Sequence, residues 1–178
     1  MTAFIEPPAR LPWWLRLSLW YARRAAGTDL LIGRLLAWYP RAAVSSAVLE
    51  TLVAHPEGRL EARLLQLVRL QVSYAAACPF CIAMNGEDAD QNGLTAAEIA
   101  ALRGEAPASA VASFSPRERA ALAYARHITA TPLKFPPEVI AEVRRHFAER
   151  EIVILATTAA QVNYWTRLIQ ALGVPPAG

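Results

Sequence analysis

The chain holds two cysteines, three residues apart, in Cys78-Pro79-Phe80-Cys81. A C-x-x-C pair can close a small disulfide, supply half of a zinc site, or pack as two inert thiols. A structural zinc takes about four ligands. No second C-x-x-C is present, and His55, His127 and His146 are scattered. No metal is expected, and no organic cofactor is implied. In a non-secreted protein, a lone C-x-x-C reads first as a redox-active dithiol. The reactive form of a thiol is the thiolate, which the unpaired N–H groups and macrodipole of a helix N-terminus favour. Proline disfavours helical backbone in the residue before it and suits the first position of a helix. Cys78 is therefore expected to cap a helix that opens at Pro79, with Cys81 at the third position and both sulfurs on one face. On these local grounds Cys78, as the more exposed residue, would be the stronger nucleophile.

Four side chains are candidates to assist. Asn85 follows Cys81 by one helical turn, and Gln66 lies twelve residues before Cys78. Both form hydrogen bonds, but an amide takes no proton near neutral pH. Tyr74, four residues before Cys78, could donate to a thiolate. His127 could face the pair from a helix spanning 117–130, although a lone histidine there is more often an ordinary, partly buried side chain.

The elements that must position these residues all read as helix, with no alternating β-branched run and no hairpin turn. Leu60, Leu64, Leu67, Val68 and Val72 repeat at three and four within a helix expected over Arg59–Ala77. Asn92-Gly93 fits a helix C-cap. Thr95–Glu98 and Ser115–Glu118 are capping boxes, the second with Pro116 at the first helical position. Pro136-Pro137 opens a helix expected to reach about Glu149. Arg150–Ala171 is the longest periodic stretch, closed by Gly173 and Pro175-Pro176. The three alanines Ala75–Ala77 suit close helix approach.

Composition narrows the function classes. At 178 residues one core is expected, and the net charge of +3 comes almost wholly from arginine, Lys134 being the sole lysine. No basic run exceeds two residues, which argues against nucleic acid as a partner. No stretch supplies the ~20 apolar residues of a membrane span, and no charged n-region precedes an apolar h-region. A reducing cytoplasm is the expected location. Trp13, Trp14, Trp20 and Trp38 crowd the first part of the chain beside six arginines. A tryptophan–arginine helix can lie on a membrane surface, but the tryptophans read first as core or subunit contacts.

Three further stretches carry a resemblance. Residues 63–73 (RLLQLVRLQVS), Cys78-Pro79-Phe80-Cys81-Ile82-Ala83-Met84-Asn85, and Gly93-Leu94-Thr95 with Glu98-Ile99 together resemble the carboxymuconolactone decarboxylase / alkylhydroperoxidase D-like family. Phe114–Leu122 and Asn163–Leu168 are similar to the family's later helices. The resemblance covers about 45–176. It implies an all-α helical bundle at 46–178 preceded by an N-terminal helical extension at 1–45, packed on the core or on a partner subunit, and it implies a homo-oligomer. In peroxidase members the second cysteine attacks the peroxide and becomes sulfenic acid, and the first closes the disulfide. The resemblance thus implies Cys81 as nucleophile and Cys78 as resolving thiol, against the local ranking, with a peroxide substrate and an external thiol reductant. Peroxidase members also carry a glutamate–histidine proton relay. Gln66 and Asn85 stand at those positions, so peroxide chemistry is expected to be slowed by roughly 10²–10⁴-fold, the usual worth of general acid–base help. A non-catalytic, oligomeric ligand-binding protein on the same fold is the alternative. A lactone decarboxylase is disfavoured, since decarboxylase members need no dithiol.

Overall fold

A computed structural model describes residues 3–26, 31–52, 60–87, 89 and 92–176. His55 and Arg59 lie outside them. Among the described residues there are nine α-helices, two short 3-10 turns and no strand. The sequence reading of an all-α chain holds.

The helix carrying Gln66 is the centre of the molecule. This helix, α4 (Ala62–Ala75), has Leu64, Leu65, Leu67, Val68, Leu70 and Val72 all buried. Gln66, Gln71 and Ser73 are buried with them, so this helix lies inside the core rather than on its surface. Each such leucine or valine contributes about 1.5–3 kcal/mol through burial. Three neighbours close around it: α7 (Pro116–Thr129), α9 (Glu149–Ala171) and α5 (Pro79–Gly86). Between α4, α7 and α9 lies one apolar cluster, to which α8 (Pro137–His146) adds Val143. A second cluster gathers Leu67, Leu70 and Phe114 with Ala101 and Leu102 of α6 (Ala96–Arg103).

Both expected capping boxes form. Thr95 and Ser115 each accept the N–H of the glutamate three residues on, and each glutamate accepts the cap N–H in return. Two expectations are corrected. Asn92-Gly93 does not cap α5, which already ends at Gly86; Gly93, with φ +67°, sits in the turn before α6. The helix opened by Pro136-Pro137 stops at His146, short of Glu149. There Arg117 donates to the His146 carbonyl, and its guanidinium stacks 4.2 Å from the centroid of the buried Phe147 ring. Phe147 adopts extended backbone, and the Glu151 carboxylate then accepts the Ala148 N–H at 2.9 Å to open α9.

The N-terminal part comprises α1 (Trp13–Ala26), α2 (Leu31–Leu35), a 3-10 turn at Leu36–Trp38 and α3 (Pro40–Leu52). The boundary drawn at 45/46 falls inside α3. Leu19 of α1 packs on Gly33 of α2 so closely that an added Cβ would lie 2.6 Å from it. Residues 3–6 run beside the end of α9: Phe4 N–H donates to the Leu172 carbonyl at 2.9 Å, and the Phe4 ring rests on Gly173. None of Trp13, Trp14, Trp20 and Trp38 is buried, which corrects the reading of these tryptophans as core.

Candidate active site

The site begins where α4 ends. Ala77 takes φ +48°, and its N–H bonds the Tyr74 carbonyl at 3.0 Å, while the Cys78 N–H bonds the Ser73 carbonyl at 3.1 Å. This pair of bonds is a Schellman closure of a helix C-terminus. The next residue is Pro79 at the first position of α5, and Cys78 is the N-cap, as its placement before proline predicts. Cys78 therefore serves two helix ends at once. Its backbone N–H closes α4, and its sulfur accepts the Cys81 N–H at 3.3 Å to open α5. The expected close approach of helices at Ala75–Ala77 is replaced by this turn.

The two sulfurs are joined as a disulfide, with Cα atoms 5.3 Å apart. Both residues are buried, Cys78 at 0% and Cys81 at 3% exposure. Cys78 is not the more exposed of the two, which removes the local reason to expect it to be the stronger nucleophile. The surroundings are apolar. Ile32 and Leu35 of α2, Leu36 of the 3-10 turn, Phe80, Ile169 and Val174 form one cluster with the cysteines, and Met84 and Trp165 pack against it. The N-terminal extension thus supplies part of the wall around the dithiol.

The two amides join the cysteine helix to the helix before it. Asn85 Nδ2 donates to Ser73 Oγ and to the Cys81 carbonyl, both at 3.0 Å. Gln66, itself buried, donates through Nε2 to the backbone carbonyl of Asn85. Together these bonds clamp α5 to α4 through backbone and hydroxyl groups. Ser73 is the hub that sequence reasoning missed. Its carbonyl receives Cys78, its hydroxyl receives Asn85, and the same hydroxyl donates to the Arg69 carbonyl at 2.8 Å. The available signal was a serine one turn before the turn residues of the C-x-x-C, in a stretch rich in leucine and valine. Burial pushes the Arg69 guanidinium down from its ordinary value, against the pull of the Glu50 carboxylate. Glu50 Oε2 in turn accepts Trp165 Nε1 at 2.8 Å and Gln161 Nε2 at 2.9 Å.

The other two candidates point elsewhere. Tyr74 joins the second cluster and carries the Arg103 guanidinium 5.8 Å from its ring centroid. His127, on α7, has its ring centroid 6.3 Å from that of Phe135, whereas α5 packs chiefly on α4 and α9. Among the described residues no cluster of histidine, cysteine or carboxylate side chains could hold a metal.

Comparison with known proteins agrees with this architecture. The uncharacterized protein YdfG of Bacillus subtilis is 36% identical over 109 residues, which is 61% of this chain and 72% of YdfG. The fold matches an uncharacterized peroxidase-related protein with an alkylhydroperoxidase AhpD core from Ralstonia eutropha, at TM-score 0.81 and 18% identity, covering 99% of this chain and 93% of that one. It also matches the debrominase Bmp8, at TM-score 0.82 and 18% identity, covering 98% and 93%. At these identities the two structures speak to the fold alone. The model of the carboxymuconolactone decarboxylase family matches residues 42–127, a span that contains α4, the Schellman turn, both cysteines and both amides. With the helical core, the dithiol turn and the YdfG match in agreement, this chain belongs to the carboxymuconolactone decarboxylase family.

Proposed function

We propose that the protein is a thiol-dependent oxidoreductase that reduces a peroxide through Cys81 and Cys78. The carrying observation is that the two sulfurs already form a disulfide across the first turn of α5. In the forward half-reaction the Cys81 thiolate attacks the outer peroxide oxygen. The O–O bond breaks, alcohol or water leaves with a proton, and Cys81 becomes sulfenic acid. Cys78 then attacks the Cys81 sulfur, the S–S bond forms, and the sulfenic oxygen departs as water. An external dithiol returns two electrons and two protons. First-turn N–H groups favour the thiolate. Gln66 and Asn85 keep α5 in place but transfer no proton, so turnover is slow.

Burial of both sulfurs favours one other reading, a non-catalytic protein whose disulfide is a structural staple and whose fold binds a ligand. Stopped-flow mixing of the reduced protein with hydrogen peroxide and with an organic hydroperoxide separates the two, with disulfide formation followed by mass spectrometry. The enzyme reading expects second-order loss of thiols in the folded protein, and a trapped sulfenic acid in Cys78→Ser but not in Cys81→Ser. Thiols that react only after denaturation would sink it in favour of the staple.

A further inference from the structure

The first helix turns its aromatic side outward. On α1, Trp13, Leu17, Trp20 and Tyr21 follow the i, i+4, i+7, i+8 spacing of one helix face, with exposures of 77%, 52%, 54% and 61%. The opposite side is the packing side: Leu15 is buried, and Leu19 lies against Gly33. The aromatic stripe is therefore not the surface by which α1 is held. Arg16 and Arg23, seven residues apart, run along one edge of the stripe, and Arg24 lies within it; all three are exposed. Charge is distributed unevenly along the chain. Residues 1–49 carry six arginines against Glu6 and Asp29, a net +4, while the whole chain is +3 and the remainder therefore −1.

We propose that α1 docks in the plane of an anionic lipid surface, with Trp13, Leu17, Trp20 and Tyr21 in the headgroup layer and Arg16, Arg23 and Arg24 against lipid phosphates. Amphipathic tryptophan and tyrosine rings prefer the bilayer–water boundary. Arginine stems can lie along the apolar layer while their guanidinium groups reach phosphate. An interfacial helix of this kind combines an apolar stripe with basic residues and needs no membrane span, and among the described residues no helix is long and apolar enough to cross a bilayer. A second copy of the chain is the poorer occupant. An isologous contact sets a face against itself, which would bring six arginines of two copies together across an apolar seam. A head-to-tail contact would need a strongly acidic partner face, and the rest of the chain has a net charge of only −1. Anionic lipid supplies the missing negative charge.

The test uses the full chain and sedimentation with vesicles of one part phosphatidylserine to two parts phosphatidylcholine, against vesicles of phosphatidylcholine alone. Binding is expected to the first, weakening with added salt, and much less to the second. Arg16→Gln with Arg23→Gln should weaken binding on the order of twenty-five-fold, about fivefold per arginine. Trp13→Ser with Trp20→Ser should abolish it. These side chains are exposed, so helicity by circular dichroism and the rate of thiol loss to peroxide should match the parent. That keeps the result independent of the redox reading. No binding to the anionic vesicles, equal binding to both kinds, or undiminished binding by the variants would overturn the proposal. So would a self-association of the full chain that Trp13→Ser with Trp20→Ser dissolves, because the stripe would then belong to a second copy.

Discussion

At the scale of single residues, the site is defined by what its amides can and cannot do. Gln66 and Asn85 carry no titratable group, and in this structure they spend their N–H groups on the Asn85 and Cys81 carbonyls and on Ser73. If the scaffold is a peroxidase scaffold, Gln66→Glu with Asn85→His should raise the rate of peroxide consumption by roughly 10²–10⁴-fold. An unchanged rate in the folded double variant would show that the relay positions are not what limits the chemistry. Ser73→Ala removes the hydroxyl that Asn85 donates to and should cost about 1 kcal/mol of stability, read from the urea midpoint. The sequence exposed the cysteines, Gln66 and Asn85 because their types carry chemistry at a recognisable spacing. Ser73 was not legible. A hydroxyl in a helix that also carries arginines and glutamines signals nothing until the helix that meets it is in place.

At the scale of elements, the chain is well punctuated. Thr95, Ser115, Pro116, Pro79 and Gly173 mark helix ends by local chemistry, and the helices beginning or ending there are readable from the sequence. The end of α8 was not readable, since it depends on Arg117, twenty-nine residues before the His146 carbonyl it binds. The wall around the dithiol was equally hidden, because the burial of Ile32, Leu35 and Leu36 is decided by cysteines more than forty residues away. The Schellman turn offers a sharp test. Ala77 holds a left-handed backbone at φ +48° with its side chain exposed. A left-handed conformation costs a residue with a Cβ about 1–2 kcal/mol, which glycine avoids. Ala77→Gly is therefore expected to raise the thermal midpoint, by about 1 kcal/mol in free energy, without altering the rate of disulfide formation.

At the scale of the whole molecule, a single cation joins three helices. Arg63 of α4 donates to Glu98 at 2.5 Å, to Glu118 at 2.8 Å and to the Gly93 carbonyl at 2.8 Å, so it holds the capping boxes of α6 and α7 together. Burial alone would raise the Glu98 pKa. The Thr95 N–H, the Arg63 guanidinium and the Ser113 hydroxyl outweigh it and hold the carboxyl below its ordinary value. A depressed carboxyl contributes stability that is fully present above its unfolded pKa, about 4.3, and lost as pH falls through the folded value. Denaturant midpoints should be flat from neutrality to about pH 5 and fall below about pH 4, and Glu98→Gln should flatten that fall. Arg63→Met leaves Glu98 buried without its cation and should cost about 3–5 kcal/mol.

The contact between Phe4 and Gly173 ties the two ends of the described chain into one belt around the sulfurs. Gly173 has φ +65°, and a side-chain carbon there would lie 2.6 Å from the Phe4 ring. A methyl group at position 173 would act as a wedge: it would push the ring aside, lift Ala3 from the cysteine cluster it packs against, and open a path for a bulky reductant. A residue with no reactive group, nearly a hundred positions from either cysteine, would then govern how fast the bond between them can be broken.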